Sequence, residues 1–143
     1  MAKSKKKHFR PTEEAALRQN NIPTNPNKII GGLLKLTLEY REGDTKNTEK
    51  YNVRTYYLRV SALSTNYESI NDEQTIINFF LDPIIIDFPT TYECGDSAPM
   101  LARRLWLLNG NHWELEYQDT DDHGVANSRI QSDPSGIVSV EFI

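Results

Sequence analysis

Cysteine is almost absent from this chain. The sequence contains one cysteine, Cys94, so no disulfide can form within the chain, and this usage favours a reducing, intracellular setting. The sequence also lacks an apolar run of the roughly 20 residues that a bilayer-spanning helix requires. Its lysine-rich start is not followed by an apolar core, as a secretory signal would be. We therefore predict a cytoplasmic protein or a virion component, with no membrane contact and no secretion through a signal peptide.

Several motifs that carry chemistry are also missing. The sequence has no GxxxxGK[ST] phosphate loop and no GxGxxG dinucleotide fingerprint. One cysteine and three dispersed histidines do not supply ligand pairs at the spacing of a zinc site. We predict no cofactor, no metal site and no catalytic residue, and we expect no small-molecule substrate.

Positive charge is concentrated at the N-terminus, although the formal charge of the whole chain is −4. Residues 1–28 contain seven Lys and Arg against two Glu, a balance of +5, which leaves −9 for residues 29–143. A basic segment can bind phosphates or an acidic protein surface, whereas an acidic body repels nucleic acid. The candidate binding residues in this segment are Lys3, Lys5, Lys6, Lys7 and Arg10.

The rest of the composition is that of an ordinary globular domain, with 143 residues, 38% apolar and 25% charged. Thr12 is predicted to cap a short helix that runs to Arg18. Residues 19–28 contain two prolines and four asparagines, which indicates an extended linker. We therefore divide the chain near Lys28, into a basic N-terminal arm with its linker (1–28) and a single β-rich domain (29–143).

Alternation of apolar and polar residues predicts the main strands. The clearest case has its apolar positions at Leu34, Leu36, Leu38 and Tyr40, which is typical of a half-buried strand. Gly31-Gly32 before it indicates a bend, a bulge or a close backbone contact. Residues 51–63 are expected to form a second strand that pairs antiparallel with the first. Its apolar face is predicted to hold Tyr56, Leu58, Val60 and Ala62. Further strands are predicted within residues 83–89, 125–131 and 137–143.

One helix is predicted inside the β-rich domain, over residues 71–81. Asn71 can cap it, the acids Asp72 and Glu73 suit its first turn, and Asp82-Pro83 would end it. Many short strands with one or two short helices predict a mainly β fold. We expect an antiparallel β-sandwich or barrel with an extended basic N-terminal arm.

Residues 103–117, RRLWLLNGNHWELEY, predict a hairpin around Asn109-Gly110. A two-residue loop would place Trp106 opposite Trp113, and a three-residue loop at residues 108–110 would place Leu105 opposite Trp113. We favour the longer loop, with Arg104 opposite Glu114, because it separates the side chains into two clean faces. The apolar face holds Leu105, Leu107, Trp113, Leu115 and Tyr117, and the polar face holds Arg104, Trp106, His112, Glu114 and Glu116. Trp106 and His112 are therefore candidate partner-binding residues.

The segment ECGDSAP, residues 93–99, resembles the nucleophile loop of chymotrypsin-like serine proteases. Gly95, Asp96 and Ser97 match that family's Gly-Asp-Ser run, and the resemblance implies a serine nucleophile. Ala98 stands where the family has a glycine pair, and the one histidine that precedes the loop is His8, within the basic arm. We therefore expect a turn here and no protease.

Two further arrangements could carry chemistry. Cys94 could pair with His112 or His123 as nucleophile and base, although its acidic neighbours would raise the pKa of its thiol. Residues 119–124, DTDDHG, match part of a calcium-binding loop, but Ile130 stands where that loop requires a bidentate glutamate. An acidic surface loop is the simpler expectation.

Three functions follow from these patterns. The first is a non-enzymatic structural or interaction subunit of a larger assembly, such as a virion or a ribonucleoprotein, whose basic arm contacts nucleic acid or a neighbouring subunit. The second is a small enzyme or ligand-binding β-barrel with its site near Trp106 and His112. The third is an acidic regulator or inhibitor protein, which the −9 body favours.

Overall fold

The computed structural model describes residues 9–42, 50–66, 74–89, 97–119, 128–132 and 136–143. The helices are α1 (Pro11–Gln19) and α2 (Pro26–Ile29), and the strands are β1 (Leu33–Glu42), β2 (Lys50–Asn66), β3 (Ile76–Pro89), β4 (Ser97–Leu108), β5 (His112–Asp119), β6 (Ser128–Ser132) and β7 (Ile137–Phe142). The seven strands of these ranges form one sheet in the order β6-β5-β4-β3-β2-β1-β7. Every neighbouring pair is antiparallel, so the predicted mainly antiparallel β fold is confirmed.

The sheet is curled into a half-barrel. Four strands separate β5 from β7 in the sheet order, yet β5 contacts β7. One face of the sheet, here called the inner face, carries the hydrophobic core, with Leu36, Phe79 and Leu107 fully buried. The opposite, outer face carries mainly polar side chains.

The alternation of β1 is confirmed, since Leu34, Leu36 and Leu38 are all at most 2% exposed. Its predicted antiparallel partner is also confirmed, because β1 pairs with the first half of β2 from Leu33 opposite Arg59 onward. At Val60, however, β2 changes neighbour, and its second half pairs with β3. Exchange of partners along one strand is a usual way to build a corner in a curled sheet.

A row of bulges crosses the middle of the sheet. The register shifts between Val60 and Ala62 in β2, between Phe80 and Ile84 in β3, and between Ala102 and Arg104 in β4. The three shifts are neighbours, because Phe80 pairs with both Ala62 and Arg104. We call this row the crease, consisting of Ser61, residues 81–83 and Arg103.

Alternation breaks at the crease, because an extra residue moves every later side chain to the other face. In β3 the buried side chains have odd residue numbers before the crease, at Ile77 and Phe79. After the crease the buried side chain has an even number, at Ile86. In β2, Ala62 was predicted to continue the apolar face, but it is exposed. Leu63 packs against the core in its place.

The predicted helix over residues 71–81 is wrong. Its described part contains no helix, and residues from Ile76 onward belong to β3. Ile77, Phe79 and Leu81 are buried while Phe80 is exposed, so the true period is two. Asp82-Pro83, expected to end a helix, lies in the crease, where a residue without a ladder hydrogen bond is tolerated.

Helix α1 begins one residue before its predicted cap, with Arg10 and not Thr12 at the N-cap. The Arg10 N–H donates to Glu13 Oε1 at 2.7 Å, and Glu13 is only 1% exposed. The segment predicted as arm and linker also contributes to the core, at Phe9, Ala16, Leu17 and Ile22. The division of the chain at residue 28 remains a prediction. Within the described ranges, neither helix is long and apolar enough to cross a membrane.

Candidate functional site

The loop of the β4–β5 hairpin consists of residues 109–111, so neither predicted register is correct. Leu107 pairs with Trp113 and Arg104 pairs with Glu116, a shift of two residues from the favoured register. Asn109, with φ of 53°, is held outside the strand by its neighbour Thr75. The Thr75 N–H donates to Asn109 Oδ1 at 2.9 Å, and the Asn109 N–H donates to the Thr75 carbonyl at 2.7 Å.

A shift of two residues leaves every side chain on its predicted face. The apolar face is confirmed as the inner face, with Leu105, Leu107 and Leu115 fully buried and Trp113 at 6% exposure. The polar face is the outer face. It brings Trp106 and His112 to the same side of the hairpin, as predicted.

Four polar side chains form a row across the outer face, from β2 to β5, which we call the polar ladder. Asn78 donates from Nδ2 to Ser64 Oγ at 3.2 Å and accepts at Oδ1 from Arg104 Nη1 at 3.2 Å. Arg104 Nε in turn donates to Glu116 Oε1 at 3.0 Å. Asn78 is only 4% exposed, and these bonds satisfy its buried amide.

Trp106 lies beside the polar ladder and is almost completely covered. It is 9% exposed, and the guanidinium carbon of Arg104 lies 4.2 Å from the centroid of its ring. This is a cation–π contact. One face of the ring is therefore already occupied by a side chain of the same protein, and the binding role of Trp106 stays a prediction.

His112 faces a carboxylate two residues away on β5, with its Nε2 3.1 Å from Glu114 Oε2. Such a pair can move a proton when a substrate is held beside it. Trp106 and His112 are not among the residues that line the cavity beside β2 described below. The contact with Glu114 holds the imidazole on the outer face, and the role of His112 in binding stays a prediction.

The other predicted residues divide between described and undescribed segments. Lys3, Lys5, Lys6 and Lys7 lie outside the described residues. Arg10 is described, and its Nε lies 3.4 Å from Glu13 Oε2, so it takes part in the start of α1.

The residues of the enzyme-like motifs lie mostly outside the described ranges. Cys94, His123 and residues 95–96 and 120–124 are among them. Ser97, the serine of the protease-like segment, begins β4 and pairs with Pro89, so its backbone is that of a strand. Among the described residues, no group of three or more His, Cys, Asp or Glu side chains could hold a metal ion.

Sequence reasoning missed a cavity beside the second half of β2. The cavity has a volume of about 450 Å³, and its walls are Phe9, Pro26, Ile30 and residues 61–65. It exists because β1 starts at Leu33 and does not extend beside those β2 residues. The one signal that could have pointed here is Gly31-Gly32. Gly31 has a φ of +89°, and a Cβ on Gly32 would lie 2.9 Å from the Phe142 ring, which confirms the predicted close backbone contact.

Comparisons of the chain with protein-family models, curated proteins and solved structures found no match. Its function has to be inferred from its own residues and their geometry.

Proposed function

We propose that this protein is a non-enzymatic interaction subunit of a larger assembly, such as a virion or a ribonucleoprotein. Its basic arm contacts an anionic partner, which is nucleic acid or an acidic neighbouring subunit. The observation that carries the proposal is the division of charge, +5 in residues 1–28 and −9 in the rest of the chain. Arms of this kind gain affinity by neutralising phosphates or carboxylates, without sequence preference. A cytoplasmic or virion location belongs to the proposal, with the lone cysteine in its support.

Two structural features support it. Lys3, Lys5, Lys6 and Lys7, here called the lysine cluster, are joined to Phe9, which is 9% exposed and packs in the core. The cluster is therefore attached to a fixed point of an acidic body. On the outer face, Phe80 is 36% exposed and Ile85 is 57% exposed. Apolar side chains in such positions favour a partner subunit as the second layer of a sandwich.

The test replaces the whole lysine cluster with glutamine in the full chain. Deletion of residues 1–28 would not serve, because Phe9, Ala16, Leu17 and Ile22 belong to the core. Each lost phosphate contact lowers the slope of log affinity against log salt by about 0.7 for a single strand. We therefore expect a slope reduced by about 3 for a fluorescent single-stranded RNA, and smaller assemblies in sedimentation.

The matched control is Lys35→Gln with Lys50→Gln, which removes positive charge from residues 29–143 alone. It should change the salt slope by less than half as much. If the cluster variant changes neither RNA affinity nor assembly size, the proposal is wrong.

A further inference from the structure

We propose that the free edge of β2 at residues 61–65, together with the adjoining cavity, is a docking groove for an extended peptide of a partner protein. The peptide has apolar side chains flanked by acidic residues and adds a strand beside β2. This inference rests on the proposed function, because it gives the partner chemistry of an assembly subunit. Three observations carry it: an open strand edge, an apolar cavity and a cationic surround.

The edge offers main-chain hydrogen-bonding groups. The last pairing on this side of β2 is at Val60, whose N–H donates to Gly32 O at 3.0 Å and whose carbonyl accepts from Gly31 N at 2.8 Å. Beyond it, residues 62–66 pair with β3 on the opposite side. No strand of the described ranges runs along the near side. An edge of this kind accepts an additional strand.

The cavity beside the edge offers apolar contacts. Its walls include Phe9, Pro26 and Ile30, and Ile30 is 44% exposed. A volume of about 450 Å³ lies within the roughly 300–1,000 Å³ of ordinary ligand-binding clefts. Every second side chain of a strand points the same way. A peptide paired with residues 61–65 can therefore direct alternate side chains into the cavity while its backbone bonds to the edge.

The charges around the groove favour an acidic peptide. All described lining residues are uncharged. The described charged residues within two positions of them in the sequence are all cations: Arg10, Lys28 and Arg59. Arg59 is held beside the groove, because its Nη1 donates to the Gly31 carbonyl at 2.6 Å. Acidic residues that flank the apolar ones would meet opposite charge here, and the acidic body would repel them elsewhere.

These features together favour a peptide over nucleic acid. The cations alone would attract either partner. A polynucleotide would leave the cavity unfilled and the strand edge unpaired, whereas an extended peptide uses all three features.

The experiment uses the full chain and a capped synthetic peptide of alternating Glu and Val residues. Calorimetry measures its affinity, and amide hydrogen exchange locates the contact. We expect slower exchange in residues 61–65 on peptide addition. The same peptide N-methylated at alternate residues cannot pair its backbone, and it should bind at least tenfold more weakly. A peptide with Lys in place of Glu should also bind at least tenfold more weakly.

A matched pair of variants tests the cavity. Ile30→Asp places a charge in the apolar wall and should weaken peptide binding at least tenfold. Val138→Asp makes a similar change at another exposed aliphatic residue, 56% exposed on β7 and away from the groove, and should leave the affinity within twofold. Ile30→Leu should restore binding, and thermal unfolding of each variant shows whether the fold is kept.

Several outcomes would overturn the inference. These are unchanged exchange in residues 61–65, equal binding of the N-methylated or lysine peptide, or equal effects of the two aspartate variants. It also fails if protection of residues 61–65 in the free protein rises with protein concentration, since the occupant is then a second copy. Protection that is lost on deletion of residues 1–8 would show the chain's own arm in the groove, and protection caused by RNA alone would show nucleic acid there.

Failure here is distinguishable from failure of the proposed function. If no peptide pairs with residues 61–65, the proposal of a docking groove is wrong, even if the lysine-cluster variant loses RNA affinity or assembly. If the peptide pairs there but that variant changes neither, the groove stands and the role of the arm is wrong.

Discussion

Trp106 and Trp113 lie on the same hairpin and are almost equally inaccessible, at 9% and 6% exposure, but they are buried in different ways. Trp113 is on the inner face, in the hydrophobic core, with its ring centroid 5.6 Å from that of Phe79. Trp106 is on the outer face, outside the core cluster, and it lies under the guanidinium of Arg104. Low exposure on this sheet therefore has two sources: apolar packing on one face, and hydrogen-bonded polar side chains on the other.

The largest effect is expected for Trp113→Ala. Removal of a large core side chain leaves a cavity that the surrounding strands cannot fill, and the free energy of unfolding should fall by about 3–5 kcal/mol. Denaturant unfolding measures the loss. A loss below that for Trp106→Ala would contradict the assignment of Trp113 to the core.

Trp106→Ala should cost less, about 2 kcal/mol, because the side chain loses its buried area but the space it leaves adjoins solvent on the outer face. Each alanine variant retains one tryptophan, so its fluorescence reports on one face at a time. Equal losses for the two variants would show that the faces do not differ in the way described.

Arg104→Ala should cost about 1–2 kcal/mol, since it leaves Glu116 and the buried Asn78 without their guanidinium partner. The variant also uncovers the Trp106 ring, which should become more accessible to acrylamide quenching in a Trp113→Phe background. Arg104→Lys keeps the charge and loses the planar fork, so it should recover part of the stability. An unchanged quenching rate in the alanine variant would remove Arg104 as the cover of the ring.

Gly110→Ala should have the smallest effect and lower the free energy of unfolding by about 1 kcal/mol. It disturbs the contact between the hairpin loop and α1, which lies over the inner face. Gly110 has a φ of +78°, and an added Cβ would lie 3.3 Å from the Ala16 backbone of α1. Asn20 Nδ2 also donates to the Gly110 carbonyl at 3.0 Å. The control is Asn111→Ala, at an exposed position of the same loop, which should change the melting temperature very little. Similar decreases in melting temperature for the two variants would show that the packing of α1 does not depend on its contact with Gly110.

The parts of the fold that the sequence predicts well are those in which one face alone is apolar. In β1 and in the β4–β5 hairpin, alternation reports burial directly, because nothing interrupts the period between Leu34 and Leu38 or between Leu105 and Leu107. In the first part of β3, up to Leu81, the local signals indicate a helix, whereas residues 83–89 of the same strand are predicted correctly as β. Long-range pairing with β2 and β4 decided its structure, and such pairing is not visible in a window of ten residues.

The candidate site was predictable in its faces but not in its contacts. The pattern placed Trp106 and His112 on one side of the hairpin, but the loop position depended on hydrogen bonds between Asn109 and Thr75, 34 residues apart. The groove beside β2 could not be predicted. It depends on where β1 begins relative to its partner strand. Gly31-Gly32 indicates a bend or a close contact before β1, but it does not fix the register of β1 against β2.

The change of neighbour within β2 has a consequence for how the sheet can be extended. In the strand order, β2 has a neighbour on each side, and only β6 and β7 would be counted as ends. Because β1 accompanies one half of β2 and β3 the other, the described strands leave two diagonal half-edges, each about half a strand long. The order of strands therefore undercounts the places where another chain could join. When the two halves of a strand pair with different neighbours on opposite sides, an additional strand can join in the middle of the sheet.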